Sequence, residues 1–351
     1  MCGKTPQSFR VALTADFYNP DGTSKYDEMG LSLLDEQPHI SYCSFPEHRT
    51  VIGADQIGDA NGVIVLTPAV ARDSLVDADD LLAIGRFGVG YELVDVEACT
   101  EADVVAYITP GAVDRPVAEV VIGWMIALTH HALIKDQLVR TGGWDVRSQY
   151  MGHEIRSRTF GAVGLGGIAR ETIRLLTGFG MNQPLAFDPY VDEAEAESLG
   201  VRLASLDELL EQADFLSIHC PLNDATRNLI GARELALMKR NAYLINTARG
   251  GIVDEDALYE ALKANRIAGA AIDCFVGEPI TSPHRFGDLE NVILAPHCAA
   301  WTDELFRDIG RAVCGGMVDL STGRKPKGVL NPEVFDKPSF QRKWTRVCGT
   351  G

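Results

Sequence analysis

The chain has 351 residues, is 46% apolar, and carries 49 acidic against 32 basic side chains, a formal net charge of −17. That length buries the cores of two ordinary domains, which excludes a single small binding module. The charge repels a phosphate backbone or an anionic bilayer, so neither nucleic acid nor membrane is expected as a partner, and small-molecule chemistry is left.

Acidic runs such as 192–197 and 254–260 read as solvated helix faces. The eight cysteines, at 2, 43, 99, 220, 274, 298, 314 and 348, show no C-x-x-C pair and no histidine at metal-ligand spacing, so no metal site is expected. Residues 1–10 are polar, without the apolar core of a signal peptide. The thiols therefore read as reduced, in a cytoplasmic protein.

Along the first 110 residues, β-branched runs at 10–15, 39–45, 62–66, 82–86 and 104–108 alternate with polar or helical stretches, the rhythm of a parallel sheet with crossover helices. Pro110 and Gly111 punctuate the chain. Pro116 then suits the first residue of a long helix reaching about residue 140. Its stretch 117–128 is apolar nearly all round, interrupted by Glu119, and falls short of the roughly 20 residues of a bilayer crossing. It reads as a helix covered on most faces by another domain or a second subunit.

A second series follows a polar segment at 141–158, with strands at 159–163, 184–187, 215–219, 242–247, 269–274 and 292–295. One more amphipathic helix, about 302–320, precedes a tail punctuated by Pro and Gly. The expected fold class is α/β: two Rossmann-like or flavodoxin-like doubly wound parallel-sheet domains with a cleft between them. The boundaries read as 1–112, 113–298, and 299–351 returning to the first domain.

Gly164-Leu165-Gly166-Gly167-Ile168-Ala169 follows an apolar strand and opens a helix running to about Phe179. This is G-x-G-x-x-A in the setting it requires, where glycine permits a tight turn and close approach of backbone to a pyrophosphate at the helix N-terminus. Asp188 ends the next strand, where a carboxylate accepts both hydroxyls of an adenosine ribose and repels a 2′-phosphate. No basic residue follows it in 190–197, so the cofactor expected is NAD rather than NADP. The plain alternative is a surface aspartate capping a turn before Pro189.

Three strand ends of the second half carry polar groups that a scaffold does not need: Thr247-Ala248-Arg249-Gly250-Gly251, Asp273 through Glu278-Pro279, and Ala295-Pro296-His297. In an open α/β sheet, ligands bind at such carboxyl ends. Arginine offers a fork to the carboxylate of a 2-oxo acid and polarises its carbonyl. Histidine takes or returns the hydroxyl proton, and glutamate holds the imidazole in one orientation. Taken singly, Arg249 reads equally as a surface ion pair, Glu278 as a turn residue and His297 as a core histidine. Their joint placement favours chemistry.

These residues carry a resemblance. Ile218-His219-Cys220-Pro221-Leu222 with Thr226, the stretch 245–251, residues 269–279 and Pro296-His297 resemble the D-isomer-specific 2-hydroxyacid dehydrogenases, as do Gly85-Arg86-Phe87-Gly88-Val89-Gly90-Tyr91 and Pro116-Val117-Ala118-Glu119. The resemblance spans about residues 80–300. It implies an NAD-dependent enzyme interconverting a small D-2-hydroxy acid and its 2-oxo acid, with 1–112 and 299–351 as substrate domain and 113–298 as NAD-binding domain. It implies Arg249, Glu278 and His297 as catalytic, and Asp273 as orienting the nicotinamide carboxamide. Gly164, Gly166, Gly167, Ile168, Asp188, His219, Cys220, Pro221, Thr226, Thr247 and Ala248 would line the cofactor site, together with Arg249 and His297. Val89 and Gly90 would hold the substrate carboxylate through backbone N–H groups beside Arg249 and His297. A homodimer through the NAD-binding domain is implied too.

Tyr91-Glu92-Leu93 and Cys298-Ala299-Ala300-Trp301 depart from the commonest pattern, which bears on the substrate and not the reaction. Trp301 reads as structural, with the substrate pocket or a subunit contact as alternatives, and Cys220 and Cys298 as small packing residues. Rival readings on the same scaffold are a phosphite- or phosphoglycerate-oxidising enzyme, the latter suggested by Arg86, and an NAD-sensing protein of the C-terminal-binding corepressor type. Glu278 speaks against the formate branch, where glutamine is expected.

Overall fold

A computed structural model describes residues 8–349. They divide into two units, one built from residues up to Val113 and from Trp301 onward, the other from Asp114–Ala300.

Unit one opens with β1 (Phe9–Leu13), α1 (Ser32–Asp35), β2 (Ile40–Ser44), α2 (Ala54–Ile57), β3 (Gly62–Val65), β4 (Ala83–Arg86), α3 (Val96–Glu101) and β5 (Val105–Tyr107). The strands pair in parallel in the order β2-β1-β3-β4-β5. β3 reads Gly-Val-Ile-Val and is buried throughout, as a strand covered on both faces must be. Val63 and Val65 join Ile52, Ile57, Leu81, Ile84 and Val104 in one apolar cluster. The Asp95 carboxylate caps α3 by accepting from Ala98 N at 2.8 Å.

Unit two begins with α4 (Asp114–Thr129) and α5 (Ala132–Thr141). The sequence predicts one helix from Pro116; the structure starts it at Asp114 and breaks it at His131, whose backbone is left-handed (φ 52°). The two parts have different surroundings. α4 buries Val121, Ile122, Met125 and Leu128, whereas α5 buries nothing.

Then follow β6 (Phe160–Val163), α6 (Gly167–Leu176), β7 (Leu185–Phe187), α7 (Glu193–Ser198), β8 (Arg202–Leu203), α8 (Leu206–Gln212) and β9 (Phe215–Ile218). The unit closes with α9 (Ala232–Leu237), β10 (Tyr243–Asn246), α10 (Glu255–Lys263), β11 (Gly269–Ile272) and β12 (Val292–Leu294). All seven strands are parallel, in the order β12-β11-β10-β9-β6-β7-β8. The sequence predicts six; β8 has two residues, too few to show a pattern.

Successive residues of a strand face opposite sides. Leu244 accordingly packs with Leu209, Leu216, Leu258 and Ile272, while Ile245 packs with Val121, Met125, Phe160 and Phe215 on the other face. Truncating such a residue to alanine costs about 2–5 kcal/mol. The order of strands reverses at β6, between β7 and β9, and the crevice at that reversal is where a doubly wound sheet receives a ligand.

The chain returns to unit one as α11 (Asp303–Ser321), capped by Thr302, whose Oγ1 accepts from Leu305 N at 3.1 Å, and α12 (Pro338–Cys348). The Tyr107 hydroxyl donates to Val313 O at 2.7 Å. Asn331 clasps β5 from beyond, accepting from Ala106 N and donating to Val104 O, both at 2.9 Å. The sequence predicts a bare tail where α12 lies. That helix is anchored by buried Phe340, with Phe335 and Trp344 each within 5.5 Å ring to ring.

Composition predicts eight reduced thiols. Among the described residues six cysteines form no disulfide, but Cys43 in β2 is disulfide-bonded, a pairing set by proximity in space, which spacing along the chain does not show. Cys2 lies outside the described residues. Among the described residues no single helix is long and apolar enough to cross a membrane.

Candidate active site

The turn after β6 has room for a diphosphate. Gly164 has φ +94°, and a β-carbon there would lie 2.9 Å from Cys220 N and 3.0 Å from the His219 carbonyl carbon, so only glycine lets the loop lie against the chain leaving β9. Gly166, the N-cap of α6, is exposed with open space beside it, and Gly167 and half-buried Ile168 begin the helix. The first-turn N–H groups lack helical partners and face that space with the positive end of the dipole. Asp188, after β7, is fixed by its backbone neighbours: Oδ2 accepts from Leu165 N at 2.8 Å and Oδ1 from Tyr190 N at 2.9 Å. Each oxygen keeps a lone pair for a ribose hydroxyl. The residues present therefore fit a dinucleotide.

At the end of β9 the structure separates backbone from side chain. The His219 ring turns inward to Phe160, with centroids 6.3 Å apart. Among the described residues neither of its buried nitrogens has a hydrogen-bond partner. Burial pushes its pKa down to about 4. The resemblance implies a cofactor contact for His219; what it brings to the glycine turn is its backbone. Cys220 is half-buried and Pro221 exposed. The Thr226 hydroxyl is spent on its own turn, donating to Pro221 O at 2.6 Å and accepting from Asn223 N at 2.8 Å.

The ends of β10, β11 and β12 interlock. Buried Asn246 ends β10, accepting from Ala248 N at 3.1 Å and donating to Arg249 O at 3.0 Å, which fixes the turn holding Thr247, Ala248 and Arg249. Arg249 Nη1 donates to Ala248 O at 2.6 Å. A β-carbon on Gly250 would fall 2.1 Å from the Phe275 carbonyl carbon, so the turn lies directly on the loop that carries Glu278.

Asp273, 6% exposed, joins the last two strand ends. Its carbonyl accepts from His297 N at 2.8 Å, and its Oδ1 accepts from Cys298 N at 3.0 Å and Ala299 N at 3.2 Å. Burial holds its carboxyl above the ordinary value. His297 stands between these bonds with φ +54°, an uncommon backbone for a non-glycine residue that its surroundings must enforce.

The imidazole of His297 meets Glu278. Nδ1 donates to Glu278 Oε2 at 2.6 Å, and Glu278 Oε1 accepts from Phe275 N at 2.6 Å. Burial works to raise the Glu278 carboxyl. The hydrogen bonds from His297 and Phe275, with the Arg249 charge, outweigh it and hold the group below the ordinary carboxylate range. The His297 side chain is 46% exposed and that of Glu278 30%. With Nδ1 bound to a carboxylate, Nε2 is the nitrogen left to exchange a proton.

Sequence reasoning missed the part played by Asn246, which stands in the resembling stretch 245–251 but is given no role there. It also missed Cys274: its sulfur donates to Ala248 O at 3.3 Å. That sulfur, a Glu278 oxygen and a His297 nitrogen all lie within 4.8 Å of one another. Burial raises the thiol pKa of Cys220, to about 11, and that of Cys298, so both are poor nucleophiles.

In unit one, Val89 and Gly90 lie half-buried in the loop after β4, and among the described residues neither N–H donates a hydrogen bond. Trp301 packs in the same unit against Tyr26 and Phe306, at 6.1 and 5.2 Å between ring centroids.

Residues 122–299 match the family described as D-isomer specific 2-hydroxyacid dehydrogenase, NAD binding domain. Unit two is thus an NAD-binding domain. Among curated relatives, a D-3-phosphoglycerate dehydrogenase of Methanocaldococcus jannaschii is 38% identical over 88% of this chain, which spans 58% of that protein's length. A glyoxylate reductase of Korarchaeum cryptofilum is 33% identical over 91% of this chain and 98% of its own. Among solved structures, a glyoxylate reductase from Paecilomyes thermophila superposes with TM-score 0.78 at 28% identity, over 94% of this chain and 99% of that one. The chain belongs to the D-isomer-specific 2-hydroxyacid dehydrogenase family.

Proposed function

We propose that the protein interconverts a small D-2-hydroxy acid and its 2-oxo acid, with His297 as acid/base, Glu278 as its partner and Arg249 as the substrate's anchor. The observation that carries this is the 2.6 Å contact of His297 Nδ1 with Glu278, on the strand end next to the turn of Arg249. NAD, when bound, accepts the hydride from the alcohol carbon. His297 Nε2 takes the hydroxyl proton as the carbonyl forms, and returns it in reduction. Glu278 fixes the tautomer that makes this possible, and Arg249 pairs with the carboxylate while drawing charge toward the carbonyl oxygen. The N–H groups of Val89 and Gly90 suit a carboxylate in the same way. The Asp188 carboxylate favours NAD over NADP.

Glyoxylate and hydroxypyruvate are the acids to try first, since the relatives from Korarchaeum cryptofilum and Paecilomyes thermophila, matched along nearly their whole length, are glyoxylate reductases by name. NADH oxidation with these, pyruvate, branched 2-oxo acids and 3-phosphohydroxypyruvate tests the reading. Turnover of at least one is expected, with Arg249→Ala losing in both KM and kcat because the fork acts in ground and transition states alike. Silence across the panel would sink it.

The assembly we infer is a cytoplasmic homodimer joined through unit two. Ile126, Leu133, Val139, Trp144, Val146 and Met151 are exposed on or just after α4 and α5, an apolar strip that a second copy would cover. Light scattering on the purified protein should give twice the chain mass.

A further inference from the structure

We propose that Cys274, Glu278 and His297 form a binding site for a thiophilic divalent cation, zinc above all, and that its occupancy shuts the enzyme down. Cys274 and Glu278 lie on the loop after β11, and His297 follows β12. Their three ligand atoms lie within 4.8 Å of one another. Zinc takes sulfur, nitrogen and oxygen together, and its bonds of about 2.0–2.3 Å set tetrahedral edges of roughly 3.3–3.8 Å, so small side-chain rotations close the site.

The surroundings hold the set ready. The sulfur forms the floor, on a residue 2% exposed, while the imidazole and carboxylate reach the surface and leave a way in. Glu278 Oε1 can stay on Phe275 N while Oε2 turns from the imidazole to the cation. Asp273 keeps the His297 loop in place from behind. Spacing along the chain hides the site, because its ligands are spread over two loops with no paired cysteines.

Binding is a ligand exchange without redox change. The cation displaces the thiol proton of Cys274, which passes to water, while the imidazole stays neutral, its one proton held on whichever nitrogen the cation leaves. A metallated imidazole cannot take up a further proton, whichever nitrogen is bound. The shut-down rests on the acid/base reading of His297; the binding does not.

Two readouts separate them. Cadmium added to the cofactor-free full chain should give an ultraviolet thiolate-to-metal charge-transfer band, absent in Cys274→Ser and Cys274→Ala and retained in the neighbouring Cys298→Ser. In turnover assays zinc should inhibit the wild type, a chelator should restore it, and Cys274→Ser should need about 100-fold more zinc for the loss of one thiolate ligand. No band in the wild type, or an equal band in both Cys274 variants, would overturn the site. A band that depends on Cys274 with undiminished turnover would overturn the shut-down and leave the site standing, while the acid/base reading falls only if His297→Ala keeps wild-type turnover.

Discussion

Two histidines stand at carboxyl ends of strands in the same sheet, and their surroundings are opposite. His219, after β9, turns its ring inward beside Phe160 with both nitrogens buried and unpartnered among the described residues. His297, after β12, is half exposed, and one nitrogen is tied to Glu278. A strand end offers the crevice, but proton transfer also needs a fixed proton on one side of the ring and access on the other. An imidazole with neither is a cost to the fold, since burial of unpaired polar atoms destabilises.

The widest gap between them should be kinetic. His297→Ala is expected to lower kcat about 10²- to 10⁴-fold, the range of a positioned acid/base, while NADH binding followed by fluorescence survives. Wild-type turnover in that variant would erase the contrast.

Next comes stability. The native His219 pKa of about 4 lies below the ordinary value near 6.5, so between those limits the unfolded chain binds a proton that the native one refuses. The stability that neutral His219 preserves is complete above pH 6.5 and is lost as the pH falls toward 4, by about 3 kcal/mol in all. His219→Phe should remove that part of the acid sensitivity, read as the difference in urea midpoints between pH 7 and 4.5. A variant as acid-labile as the wild type would contradict the buried environment.

Glu278→Gln should cost about 10- to 100-fold in kcat/KM, the worth of one charge-assisted hydrogen bond. An unchanged value would leave exposure alone as what separates the two histidines. Smallest is the effect on the frame they share: Asp188→Arg should shift the NAD to NADP ratio of kcat/KM about 10-fold toward NADP by trading ribose hydrogen bonds for a phosphate partner. An unmoved ratio would remove Asp188 from cofactor choice.

Much of this frame was legible because apolar strands stop at residues that do not belong in a core. Arg249, Asp273 and His297 each interrupt such a run, and the structure brings Arg249, Glu278 and His297 onto neighbouring loops. The glycine turn was legible for the same reason, a strand running into Gly164 and a helix running out. What stayed hidden depends on neighbours in space. Nothing local marks the inward turn of His219, the left-handed backbone of His297, or the two-sided clamp of Asp273 on the chain before Trp301. The break at His131 falls where buried α4 gives way to α5, which buries nothing, and α12 is visible only once Phe335 and Trp344 surround Phe340.

The clasp of Asn331 on β5, and of the Tyr107 hydroxyl on Val313, sets an order for synthesis. Unit one draws its last layer from chain made after unit two, so on the ribosome its five strands emerge early and wait with α11 still untranslated. Unit two is continuous and can close first. The late segment then completes its distant partner, and a nascent chain released before residue 301 would hold one finished body and one open sheet.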